Sequence, residues 1–250
     1  MAETEPYKKV VLVTGANQGI GYALVKLLAE RGHIVYLGAR NKELGVQAAK
    51  QLQDEHSLDV HFLHLDVLDG ELIAAAKDKI EKDQGRLDVL VNNAAVACPL
   101  IKPSESNHEE YRKTFDTNFF AIVHLTTTLI PLIRLSPTGY GAIVNITSGL
   151  GSNSDRAGPE ANPLYSYANA YGASKAALNS YTISLATDLR EERIRVNCIC
   201  PGYVTTKLNG FREGRTPENA AGLFLEWVEV GPGDDDKTCM FYSNGKQKQW

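Results

Sequence analysis

Tyr171 and Lys175 stand four residues apart in a stretch, 171–190, whose pattern predicts a helix, so phenol and ammonium share one face. A free phenol ionises at a pH of about 10 and moves protons poorly near neutrality. A neighbouring ammonium favours the phenolate and is expected to lower that value, fitting the phenol to exchange a proton with a reacting oxygen. A second set is Thr14-Gly15-Ala16-Asn17-Gln18-Gly19-Ile20-Gly21. Its glycines let backbone approach a pyrophosphate, and a helix starting there presents free N–H groups to the anion. A carboxylate for a ribose 2′-OH would sit about 20 residues past such a loop. That place reads Leu37-Gly38-Ala39-Arg40-Asn41, and the first acid is Glu43. The planar fork of Arg40 suits a 2′-phosphate instead. Taken singly, each feature has an ordinary reading: helix-surface packing, a strand-to-helix turn, a surface arginine.

The elements that must position these groups alternate. Short β-rich runs at 9–14, 34–37, 60–65, 87–92, 141–147, 193–200 and 240–242 predict strands. Amphipathic stretches at 20–31, 42–56, 71–83, 108–135, 171–190 and 217–230 predict helices. Strict alternation implies one doubly wound, Rossmann-type parallel sheet of about seven strands with helices on both faces, an α/β fold. The chain is expected to be a single domain over 1–250, with loop-rich pieces at 149–170 and 205–216 bordering the crevice at the strand ends.

Bulk properties narrow the partners. The formal net charge is −4 with both signs dispersed, which argues against nucleic acid and anionic membrane. The N-terminus lacks a basic segment followed by an apolar one, so no secretory signal is expected. The apolar run 119–133 is too short to span a bilayer. Cys98, Cys198, Cys200 and Cys239 have neither metal-ligand spacing nor disulfide density, and Cys198 and Cys200 should point the same way from a strand as core thiols. His33, His56, His61, His64, His108 and His124 form no metal spacing, so no metal is expected. A reducing, cytoplasmic location follows as an expectation.

Seven motifs in order carry a resemblance. Thr14 to Gly21 resembles the T-G-x-x-x-G-x-G loop of the short-chain dehydrogenase/reductase family. Asp66-Val67 resembles its adenine-side pair, and Asn92-Asn93-Ala94-Ala95 its N-N-A-G, with Ala95 replacing the usual Gly. Asn118 lies mid-helix and Ser148 ends a strand, as in the family. Tyr171 to Lys175 is the Y-x-x-x-K element, and Pro201-Gly202-Tyr203-Val204-Thr205-Thr206 resembles P-G-x-V-x-T. The matches run from residue 8 to about 206 in family order, and the nearest likeness is to carbonyl-reductase-like members.

The resemblance implies a catalytic set of Asn118, Ser148, Tyr171 and Lys175. Ser148 would hold the substrate oxygen, Lys175 the nicotinamide ribose, and Asn118 a water in the proton relay. It implies NADP(H) bound by Gly15, Asn17, Gln18, Gly19, Ile20, Gly21, Arg40, Asp66, Val67, Asn93, Tyr171, Lys175, Pro201, Gly202, Val204 and Thr206. The leading expectation is an NADPH-dependent reductase of a ketone or aldehyde, a small-molecule carbonyl. An NADP-linked alcohol dehydrogenase in a biosynthetic pathway, and a non-redox or sensor member of the fold, are the alternatives; the intact Tyr171 and Lys175 weigh against a sensor. Substrate contacts are expected from 96–102, 149–170 and 203–216. The 22 residues of 149–170 exceed the loop of many family members. Their turn-forming composition should keep them on the surface as a pocket wall carrying Leu164, Tyr165 and Tyr167. The same segment is expected to disfavour a tetramer, with monomer and homo-oligomer both open.

Overall fold

The computed structural model describes residues 7–158 and 163–250. Its sheet begins with β1 (Val10–Val13), β2 (Ile34–Ala39) and β3 (Val60–His64), and continues through β4 (Val89–Asn92), β5 (Ala142–Ile146) and β6 (Arg195–Cys200). It closes with β7 (Phe241–Ser243) and β8 (Lys246–Gln247), in spatial order β3-β2-β1-β4-β5-β6-β7-β8. Seven strands are parallel; the eighth, a two-residue antiparallel return, was not foreseen because so short a polar piece has no periodicity.

Both sheet faces are covered, so the strands are apolar throughout. Val11 and Val13 enter one core layer and Val10 and Leu12 the other, the period-two signature of a strand buried on both sides. The first layer packs α1 (Gly19–Glu30) and α2 (Lys42–His56) through Leu24, Leu28 and Leu52. The second packs α3 (Gly70–Gln84) through Ile73 and Ile80. Asn41 caps α2 by accepting from the Leu44 N–H, and Asp69 caps α3, which is why these two helices start where they do.

The stretch predicted as one helix over 108–135 is α4 (His108–Phe115), a π-helical turn (Asp116–Phe120) and α5 (Ala121–Ile133). Together they form a helix of 26 residues, long and apolar enough by composition to cross a bilayer, which the shorter run 119–133 was not. Leu125, Leu129 and Ile133 are instead buried against the sheet. The segment after β5 contains α6 (Asn153–Ala157), followed by α7 (Asn169–Asp188). The helix expected over 217–230 is broken into α8 (Pro217–Ala221), a 3-10 turn at Gly222–Phe224 and α9 (Leu225–Val228). Packing of Ala221, Phe224, Trp227 and Val228 into the first core layer overrides its regular period.

The strand order reverses between β1 and β4. Their C-terminal ends therefore open the crevice in which such sheets hold ligands.

Candidate active site

The loop from β1 to α1 is built so that a nucleotide phosphate can lie on it. Gly15 has φ +61°, and a Cβ there would come within 2.9 Å of the Ala94 Cα, so only glycine fits. A Cβ on Gly21 would strike the Asn93 amide at 2.6 Å. Gln18, the N-cap of α1, makes no side-chain cap bond, so the first-turn N–H groups have no side-chain partner from it. Asn17, Gly19 and Ile20 complete the turn, and Gly19 faces the Thr206 methyl, with 3.4 Å between that methyl and a Cβ built on Gly19. Arg40, directly after β2, is exposed, with no carboxylate partner among the described residues, and its carbonyl contacts His64 Nε2 at 3.2 Å. Asp66 closes a tight turn by accepting from the Leu68 N–H, and Val67 lies half-buried against the second core layer.

Asn93 acts as a brace. Its side-chain amide donates to the carbonyls of Thr14 (2.7 Å) and Gly15 (3.1 Å). The Thr14 hydroxyl in turn accepts from the N–H groups of Asn93 and Ala94, both at 3.0 Å. Thr14 was legible only as the first letter of a motif; its role as the junction of two loops needed the fold. Ala95 is absent from the positive-φ residues among those described, so its methyl imposes no backbone strain.

Ser148, Tyr171 and Lys175 converge beyond the ends of β5 and β6. Ser148 begins the turn after β5, and its hydroxyl accepts from the Leu150 N–H at 3.2 Å. Lys175 is buried, with Nζ 5.7 Å from the Tyr171 ring centroid. It donates to the Ile146 carbonyl at 2.8 Å. Burial lowers the Lys175 ammonium to about 8. The expectation that this ammonium depresses the phenol is corrected here. Tyr171 is pushed above the ordinary phenol value, first by burial and then by the neighbouring Cys200 and Cys98 thiols, with the nearby Ser148 hydroxyl opposing the rise. The phenol is therefore held protonated.

Asn118 is buried in the π-helical turn. Its side chain is committed to the Val96 backbone, accepting from the N–H at 2.9 Å and donating to the carbonyl at 3.0 Å. It also donates to Ser174 at 3.2 Å. The side chain thus ties α4–α5 to the loop after β4 and to α7.

Pro201 is buried after β6, Gly202 has φ +77°, and Val204 bridges to Arg215. Thr206 and Asn209 form a reciprocal cap. Cys200, unremarked by sequence reasoning except as a core thiol, accepts from the N–H groups of Gly149 (3.2 Å) and Gly202 (3.4 Å), joining both crevice loops. Cys198 and Cys200 do share one side of β6, in a small cluster with Phe241. The segment 149–170 is only partly the surface loop expected. Gly151 and Ser152 are buried, while Tyr165 is exposed; residues 159–162 and the Leu164 side chain lie outside the described residues. No group of three or more His, Cys, Asp or Glu able to hold a metal occurs among the described residues.

Residues 9–215, from β1 through the bridge at Arg215, match the model of the short chain dehydrogenase family. This chain belongs to the short chain dehydrogenase family. Carbonyl reductase (NADPH) 1 of Sus scrofa is 33% identical over 280 residues, covering 97% of this chain and 94% of that protein. The benzil reductase ((S)-benzoin forming) of Saccharomyces cerevisiae is 35% identical over 226 residues, covering 87% and 80%. A short chain dehydrogenase from Escherichia coli CFT073, solved in complex with NADPH, superposes with a TM-score of 0.82 at 29% identity, covering 95% of this chain and 97% of that one. This family member is an oxidoreductase acting on the CH–OH/C=O couple.

Proposed function

We propose that this oxidoreductase reduces a ketone or aldehyde with NADPH, the whole sheet and its crevice loops acting as one catalytic domain. The observation that carries the reading is the convergence of Ser148, a protonated Tyr171 and a buried Lys175 at the crevice. The glycine cradle and the exposed, acid-free Arg40 fit a dinucleotide carrying a 2′-phosphate. The NADPH relatives support the same cofactor. NADPH, when bound, supplies the hydride.

The remaining chemistry belongs to side chains. Ser148 holds the substrate oxygen, and Tyr171 gives that oxygen its proton as negative charge develops on it. Lys175 keeps one donor on Ile146 and turns the others to the nicotinamide ribose hydroxyls. Its charge would keep those hydroxyls, and the nicotinamide with them, beside the phenol. Asn118 would help bind the water that returns a proton toward Lys175. Asp66 and Val67 would hold the adenine side of the cofactor, and Pro201, Gly202, Val204 and Thr206 its nicotinamide and phosphate side. Loops at this end of the sheet expose Leu100, Tyr165, Tyr203, Leu208 and Phe211, which favours bulky apolar carbonyl substrates. The deciding experiment follows NADPH consumption over a panel of ketones, aldehydes and quinones that includes benzil. Turnover of an apolar ketone is expected; no turnover of any carbonyl would overturn the reading.

A further inference from the structure

The hairpin of β7 and β8 turns at Asn244 and Gly245, both in the left-handed region. It lies outside the family-model match, yet it touches both loops that border the crevice. On one side the Asn244 side chain fills the space a Cβ on Gly202 would need, so the hairpin turn seats directly on the Pro-Gly loop. On the other side its last residues meet the segment that follows Ser148. The Ser152 hydroxyl donates to the Gln249 carbonyl at 3.2 Å, and the Ser154 hydroxyl donates to the main-chain oxygen of Trp250 at 3.3 Å. Lys248 pairs with Asp155 at 2.9 Å. Trp250 stacks on the buried Phe241 ring at 5.8 Å, which anchors this end to the sheet.

Helix α6 has five residues, too few to be stable without tertiary support. Its N-cap is Ser152, whose buried hydroxyl accepts from the Asp155 N–H while donating to Gln249. One oxygen therefore sets both the start of the helix and its attachment to the hairpin. Ser152 is four residues beyond Ser148, so displacement of this anchor is passed along a short, turn-rich connection to the wall of the pocket.

We infer that the hairpin 241–250 is a positioning element for the carbonyl site: it fixes the segment 149–157 relative to the Pro201-Gly202 loop, and Lys248, Asp155 and Ser152 thereby set substrate fit. The inference rests on the reading that Ser148 and Tyr171 receive a carbonyl. None of the three residues touches the reacting atoms, so their loss should move KM for the carbonyl and leave kcat and the KM for NADPH in place.

The test uses the full chain with Asp155→Lys, Lys248→Asp and the double exchange. Both side chains are more than a third exposed (42% and 37%), so the single variants keep the fold. Each single variant sets like charges together and should raise KM for the best apolar ketone by about threefold to tenfold, with restoration in the double exchange. Hydrogen exchange of amides 149–157 should speed up in the single variants and slow again in the double. Unchanged exchange in the single variants, or changed exchange with an unmoved ketone KM, would overturn the proposal. If the parent chain reduces no carbonyl while exchange follows this pattern, the functional reading fails and the tie between hairpin and segment stands.

Discussion

At the scale of single residues the site divides into groups that hold protons and groups that hold those groups. Tyr171 is kept protonated by burial, which suits a donor to a carbonyl oxygen. Tyr171→Phe should leave NADPH binding, read by cofactor fluorescence, near the parent value and lower kcat by about 10²–10⁴-fold. A variant that turns over at the parent rate would remove Tyr171 from the mechanism. Lys175 titrates at about 8, so in the reductive direction the rate should fall as pH rises through that value and the supporting charge is lost. Lys175→Arg keeps a charge that does not titrate in this range and should shift the fall upward in a pH–rate profile, even with a reduced maximum. Arg40→Ala should raise the KM for NADPH and leave that for NADH nearly unmoved, because only the former carries a 2′-phosphate. A parent enzyme preferring NADH would contradict the role given to Arg40.

At the scale of elements, the crevice is made where strand ends meet loops that brace one another. The Thr14 hydroxyl and Asn93 amide lock the glycine loop to the end of β4, and Cys200 links the loops after β5 and β6. Gly15→Ala would combine a left-handed φ with a backbone clash against Ala94. It should destabilise the chain by about 1–3 kcal/mol and weaken NADPH binding at least about tenfold. Gly222→Ala is the control. That glycine has φ −57° and nothing within 4 Å of a built Cβ, so melting and titration should show no loss.

At the scale of the whole molecule, buried charge lies at both ends of the sheet. Lys9, nearly inaccessible at the start of β1, donates to the Tyr140 carbonyl at 2.9 Å and is lowered to about 8, chiefly by burial. The unfolded chain holds this proton to about 10.5, so between those values it binds more protons than the folded chain. Stability contributed by this group therefore rises with pH across that window, by on the order of 3 kcal/mol. Tyr7, Tyr36 and Tyr171, all raised, oppose the gain only above the ordinary phenol value of 10.0. Denaturant unfolding at pH 7.5 and 9.5 should show the parent gaining stability relative to Lys9→Met, which has no proton to lose. An identical pH dependence in the two proteins would mean Lys9 is not held at a lowered value.

The sequence by itself determined the architecture and the family, and it nominated the residues of the site. Strands buried on both faces must be apolar runs, and helices alternating between them must cover those faces, so the order of elements could be read without coordinates. The glycine loop, Arg40 and the Tyr171–Lys175 pair stood out because phosphate approach, 2′-phosphate pairing and proton transfer each demand particular residue types at particular spacings, whereas Ser148 entered only through the family resemblance. The tertiary structure decided what depends on contacts distant in sequence. Burial, together with thiols from the loop after β4 and the end of β6, raised the Tyr171 phenol against the expected effect of Lys175. The π turn spent the Asn118 side chain on Val96, 22 residues away. The hairpin after β6 reached back to Gly202 and Ser152, and neither partner carries a local signal for the other. Periodicity and spacing record which face of an element is buried; desolvation and long-range hydrogen bonding depend on what the fold brings against that face.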